Sequence, residues 1–395
     1  MVLPQATIMI VGSLHMDSIY QVHNHIRPHD HVNPKGITMP GGHGGNQAVA
    51  CRRMSRHKPV EGQASVGPIH ERQSNADAHD IEISVYMVGM VGNDKDGLRV
   101  KEALTLNGVN IDDVKTTDEE STGTAHITVD RFGEAIVISD AKANDKLTSD
   151  IIPDLSQPLH LLLVQLEVPI ETTQYVIQLA REQQPPVPVI LNPAPAPDPG
   201  TQIPRDLYQV DYLIVNAQQA CKLRGHGNKD AKARKPLDFE ADCRHFHHEG
   251  ARCVIITLGE RGAIASEVER HRSNRVKITH HPALQIQEGV KDETGASDAF
   301  IGAFAVEILR QKKSGEKEDV VKAMEWGIMA GACAVAKLGS LESVPWRDEV
   351  LEREGREDGF DGVVVDSLVE GSVGLRVSNR GGNAGGGGGE SVDID

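Results

Sequence analysis

The sequence predicts an α/β protein: a doubly wound, mostly parallel central sheet flanked by helices. Three observations point there. Short apolar runs recur along the chain, namely ATIMIVG (6–12), LHLLLVQLE (159–167), PVPVILNPAPA (186–196), VDYLIVNA (210–217) and RCVIITLGERG (252–262). Each closes on polar or Gly/Pro residues, and helical patterns separate them, which is the rhythm of parallel strands joined by crossover helices. The 395 residues, 39% of them hydrophobic, suffice for one large α/β domain or two medium ones.

The elements follow in order. ATIMIVG reads as a buried strand closed by Gly12, and NQAVACRRM (46–54) has the small residues and spacing of a helix start, with a turn-rich loop between them. Residues 55–80 are polar with scattered Pro and Gly and read as a mobile insertion. Alternation returns in ISVYMVGMVG (83–92), a helix follows in DGLRVKEALTLNG (96–108), and GTAHITVD (123–130) and EAIVISD (134–140) are further strands. After KDETGASDAFIG (291–302), Phe300, Phe304, Ile308 and Leu309 repeat at helical spacing. From residue 355 the pattern decays toward GGNAGGGGGESVDID, a flexible, Gly-rich acidic tail.

Composition excludes some functions. A net charge of −16 argues against nucleic acid or an anionic membrane as partner and favours small ligands. No run approaches the length of a membrane span, and the N-terminus enters a strand without a charged leader, so an intracellular protein is expected. Five cysteines without a CxxC pair fit reduced thiols.

In parallel sheets ligands bind beyond the carboxyl ends of the strands, so Glu167, Asn192, Asn216 and Gly259 are the strand-end residues to watch. PGGHGGNQA (40–48) joins a loop to a helix, and its four glycines let backbone approach a ligand while Asn46 offers both a donor and an acceptor. It has neither GxGxxG dinucleotide spacing nor a GxxxxGK[ST] phosphate loop. Asp17 could hold sugar-like hydroxyls or cap a turn, and TLGERG (257–262) could wrap a nucleotide or form a plain strand turn. DETGASD places Asp298 in the first turn of a helix, where free N–H groups favour an anion; the alternative for Ser297 or Asp298 is an N-cap. The histidines of VHNHIRPHDHV (22–32) and HFHH (245–248) match no common zinc spacing and read as solvated.

In this order GSLHMD, PGGHGGNQAVA, VQLEVP, LNPAPA, TLGERG, DETGASDAF and GSLESVPWRDEV resemble the ribokinase family of sugar and nucleoside kinases, over roughly residues 6–350. The resemblance implies a ribokinase-like kinase domain over 1–354 with a small β-sheet lid from about 14–40 and 121–138. It implies transfer of the ATP γ-phosphoryl group to the 5-hydroxyl of ribose, with Asp298 as base and Gly295, Ala296 and Ser297 completing an anion hole. His15, Met16, Asp17, Gly42, His43, Gly44, Gly45, Asn46 and Glu167 would face the sugar. Asn216, Thr257, Leu258, Gly259, Glu260, Arg261, Gly262 and Ser297 would face ATP. Asp292, Thr294, Ala334, Lys337, Gly339 and Ser343 would line a potassium site, and magnesium would travel with the nucleotide. The resemblance further implies a cytoplasmic enzyme, with nuclear residence open, and pairing into a homodimer through the lid.

Four positions depart from the family. His15 stands for asparagine, His43 for lysine, Gln219 for the glutamate of NxxE, and Ser297 for the second glycine of TGAGD. At positive φ a serine at 297 costs on the order of 1–2 kcal/mol and crowds the anion hole, whereas at helical φ it costs little. The departures leave three readings: an active ribose kinase, an impaired kinase that binds sugar or nucleotide, or a kinase for another sugar or nucleoside.

Overall fold

The structure, a computed structural model, describes residues 5–24, 26–27, 29–59, 81–155, 158–198, 201, 203–226, 231, 234–268, 276–286, 289–354, 363–367 and 373–377. The chain divides into two compact units, residues 1–190 with 286–350, and residues 191–285 with 351–395.

In the first unit β1 (Gln5–Val11) pairs in parallel with both β4 (Glu82–Gly92) and β8 (Leu161–Val164), and β4 pairs in parallel with β5 (Asn110–Thr117). Ile8 lies beside Val85 on one side and Leu161 on the other, all three buried, as expected for strands covered on both faces. A second sheet of four strands holds β2 (His15–Gln21), β3 (Gly36–Gly41), β6 (Gly123–Val129) and β7 (Ala135–Asp140), in the order β3-β2-β6-β7. These strands come from the two segments expected to form the lid. Ile19, Ala125, Ile127 and Val129 are its small core, with Met39 packed against them.

The helices of this unit include α1 (His43–Met54), α2 (Lys95–Leu106), α3 (Ile170–Glu182), and the long pair α6 (Ala296–Ser314) and α7 (Val320–Val335). Helix α2 starts where Asp94 accepts the Gly97 amide at 2.7 Å, an N-cap that satisfies one free donor of its first turn. Phe300, Phe304, Ile308 and Leu309 are buried along α6, as their spacing predicts. Helices α1 and α6 pack together, and that contact carries residues 43–47 to the start of α6.

In the second unit β10 (Tyr212–Asn216) runs parallel to β11 (Cys253–Thr257), and β9 (Val189–Leu191) falls at the boundary between the units. Antiparallel strands follow, β12 (Ala263–Val268), β13 (Val276–His281), β14 (Val363–Ser367) and β15 (Val373–Val377), alongside helices α4 (Ala217–Leu223) and α5 (Glu240–Glu249). Strands β14 and β15 fall within 355–395, the stretch expected to be a flexible, Gly-rich acidic tail. VVVDS and VGLRV carry β-branched residues that favour pairing in spite of the glycine around them. The insertion expected over 55–80 lies outside the described residues from 60 onward, as do residues 381–395.

Candidate active site

Asp298 sits in the first turn of α6 and is 2% exposed. Three side chains of α1 reach its carboxylate: Asn46 Nδ2 donates to Oδ2 at 3.0 Å, Gln47 Nε2 donates to Oδ1 at 3.0 Å, and His43 Nδ1 lies 3.0 Å from Oδ1. Gln47 is held in turn by Gln165, whose Nε2 donates to its Oε1 at 2.6 Å. Glu167 accepts the His43 amide at 3.1 Å and the Ser13 hydroxyl. Helix α1 reaches these partners because Gly44 lies against the end of β1: a Cβ there would stand 2.7 Å from the Gly12 carbonyl carbon and the Ser13 nitrogen.

Charge is unevenly distributed around this cluster. Burial disfavours the His43 imidazolium, but the Asp298 and Glu167 carboxylates outweigh it and raise the ring to about 10, although 33% of the side chain remains exposed. Burial also works against the Glu167 carboxylate, yet His43 and His15 hold it below the usual range. Asp17 goes the other way. Burial raises it to about 6, and the hydrogen bond from the Ser340 hydroxyl at 2.6 Å recovers only part of the loss.

Asp17 Oδ1, Asn46 Oδ1 and His15 Nε2 are among the buried polar atoms here that have no hydrogen-bond partner among the described residues, as is Gln165 Oε1. His15 and Asp17 are two apart on β2 and so share a face of the four-stranded sheet, where His15 lies beside Gly41 and Gly123 in register. Two acceptors and an imidazole nitrogen, all buried and unpartnered, suit a ligand with several hydroxyl groups.

Ser297 lies inside the first turn of α6. Gly295 takes the left-handed conformation at φ +79°, and α6 begins at Ala296, so Ser297 is already helical. Gly295 is therefore the residue that must be glycine. The first N–H groups of a helix have no intrahelical partner, which leaves this turn suited to an anion.

The segments expected to hold potassium come together. Asp292 Oδ1 accepts the Thr294 amide and its Oδ2 the Gly339 amide, each at 2.9 Å, while the Ser343 hydroxyl donates to Ser340 O at 2.9 Å and lies 3.3 Å from Thr294 O. Ala334 O accepts the Lys337 amide at 2.9 Å, and the Lys337 ammonium pairs with Glu349. Thr294 Oγ1 is buried without a partner among the described residues. One carboxylate with hydroxyl and carbonyl oxygens is a donor set suited to a hard cation of low charge. Among the described residues no group of three or more His, Cys, Asp or Glu side chains could hold a metal ion, so neither histidine-rich stretch forms such a cluster there.

In the second unit, Asn216 and Thr257 are paired at the ends of β10 and β11. Asn216 and Gln219 form a reciprocal capping box at the start of α4, with both bonds at 2.8 Å. Gln219 thus keeps the structural half of what a glutamate would do there. Residues Leu258 to Gly262 turn sharply, with the Leu258 amide donating to Gly262 O at 2.7 Å, Glu260 exposed, and the Arg261 guanidinium held by the carbonyls of Ala231 and Arg234. Asn192, also a strand-end residue, donates to Ile214 O at 2.9 Å and serves the local backbone.

The model of the pfkB family of carbohydrate kinases matches residues 5–347. The chain belongs to the pfkB carbohydrate kinase family. It is 28% identical over 364 residues to ribokinase of Schizosaccharomyces pombe, a match covering 88% of this chain and 96% of that protein. It is also 28% identical to the bifunctional ribokinase/ribose-5-phosphate isomerase A of Fructilactobacillus sanfranciscensis, covering 87% of this chain and 55% of that one. Among solved structures it resembles ribokinase from Cryptococcus neoformans in complex with ADP, with 27% identity, a TM-score of 0.67, and coverage of 88% of this chain and 99% of that chain.

The first unit brings together Asp298, Asn46, His43, Glu167, His15 and Asp17, and the second holds Asn216 with the 257–262 turn. Sequence reasoning missed the residues that hold them. Ser13, Gln47, Gln165 and Ser340 fix Glu167, Asp298, Gln47 and Asp17, and Asn144 clamps Leu14 by accepting its amide at 2.8 Å and donating to its carbonyl at 3.0 Å. Gln47 stands one turn after His43, and Gln165 shares a strand end with Glu167, so local periodicity was the available signal.

Proposed function

We propose that this chain transfers the γ-phosphoryl group of ATP to O5 of ribose. The observation that carries the reading is the buried Asp298, held by three side chains at a helix start in the same unit as the unpartnered acceptors Asp17 Oδ1 and Asn46 Oδ1. Asp298 takes the proton from the sugar hydroxyl as its oxygen attacks phosphorus. The Ser297 and Asp298 amides face charge on the transferring phosphoryl group, while the Ala296 amide donates to Glu293 O at 3.3 Å and closes the turn before them. Asp17, Asn46, His15 and Glu167 hold the sugar hydroxyls, and Asn216 with residues 257–262 holds the nucleotide.

Magnesium bound to the ATP phosphates would offset their charge. Asp292, Thr294 and Ser343, with carbonyls of the 334–339 loop, would hold potassium, and Thr294 Oγ1 is the unpartnered atom that fits it. Pairing of two copies through the lid sheet, and residence in the cytoplasm, complete the proposal. All five cysteines are free and buried, which fits a reducing compartment.

A coupled ADP-release assay over a panel of sugars and nucleosides tests the reading. Ribose is expected to give the highest kcat/KM, and a higher value for a nucleoside or another sugar would replace it. His15 beside Asp17 on β2, with its buried Nε2 without a partner among the described residues, is the observation that favours the second outcome.

A further inference from the structure

Of the three donors to Asp298, only His43 can change charge. Asn46 and Gln47 offer neutral amides, so without His43 the buried carboxylate would have no cation in contact among the described residues. The position is not an easy one for an imidazolium. His43 opens α1, where the helix dipole disfavours positive charge. Burial adds to that cost, and three carboxylates oppose it: Asp298 from α6, Glu167 beyond β8, and Asp17 from β2. The backbone of the same residue is pinned separately, because its amide donates to Glu167 Oε2. The ring is thus anchored at one end by its own helix and at the other by Asp298.

We infer that His43 is the positioning residue of Asp298, donating through Nδ1–H to Oδ1 and fixing the carboxylate for proton transfer. This assignment rests on Asp298 being the base, and it gives the histidine a role other than sugar contact. The geometry singles out Nδ1: a donor at that place serves, and a donor at the place of Nε2 does not.

Three variants separate these roles. His43→Asn puts an amide nitrogen where Nδ1 stands, His43→Gln puts one where Nε2 stands, and His43→Leu fills the space without a donor. His43→Asn is expected to keep kcat within about threefold of wild type, while His43→Gln and His43→Leu lose about tenfold or more with sugar and ATP KM little changed, since misplacing a reacting group can cost up to roughly 10². Equal kcat in all three variants, or a loss confined to sugar KM, overturns the assignment.

A second measurement needs no turnover. The His43 ring, followed by NMR in the protein without substrate, is expected to titrate above 6.5 and to drop by about one unit or more in Asp298→Asn. Unchanged titration in that variant overturns the pairing. If the chain phosphorylates no sugar or nucleoside, the kinase reading fails while the NMR result still decides whether His43 and Asp298 are paired.

Discussion

Asp17 and Ser297 show how much a single residue's surroundings decide. The Asp17 carboxyl, raised by burial from 3.8 to about 6, favours the folded state below its unfolded value, and that contribution is lost as pH rises through about 6. Sugar binding runs the opposite way, because only the carboxylate offers both oxygens as acceptors. Sugar KM is expected to fall as pH rises from about 5 to 7, and Asp17→Asn to give a weak, pH-flat KM. A steep pH dependence that survives in the variant would assign the ionisation elsewhere. Ser297 is helical, so Ser297→Gly relieves no strain and loses roughly 0.5 kcal/mol of helix propensity. Gln219 already forms its capping box. The double variant Ser297→Gly with Gln219→Glu is therefore expected to change kcat by less than about tenfold, the loss that a damaged anion hole would at least cause; a larger gain would mean that both departures impair the enzyme.

At the scale of elements, the contact of α1 with the end of β1 and with α6 sets the cluster. Gly44→Ala places a methyl where only 2.7 Å separates it from backbone, and overpacking of that kind costs typically about 1–3 kcal/mol. Thermal melting is expected to show that loss together with reduced kcat, because the strained helix start carries His43, Asn46 and Gln47. An unchanged melting temperature and rate would show that the loop yields without cost. The strands and helices of this region were legible, since their apolar runs and helical spacing are local signals. The amide network was not: Gln47 and Asp298 are 251 residues apart in the chain, and Gln47 and Gln165 are 118 apart. No periodicity reports such pairs. Strands β14 and β15 were overlooked for a different reason, namely that glycine-rich flanks masked two short β-branched runs.

For the whole molecule, the order of seven motifs carried the family and with it the expected ligands, while each motif alone left a structural alternative open. The loop of residues 337–343 ties the expected cation residues to the expected sugar residue, through Gly339 to Asp292 and Ser340 to Asp17. Potassium is therefore expected to raise kcat and lower sugar KM relative to choline at equal ionic strength. Identical kinetics in the two salts would remove that site. The central claim is that Asp298 is the base of a phosphoryl transfer. Asp298→Asn keeps the size of the side chain and removes its basicity, so the most direct measurement is kcat with ribose in that variant, alongside ATP affinity by calorimetry. A fall of roughly 10²–10⁴ in kcat with ATP affinity within a few-fold is the predicted result. Retention of more than about a tenth of wild-type kcat would contradict it.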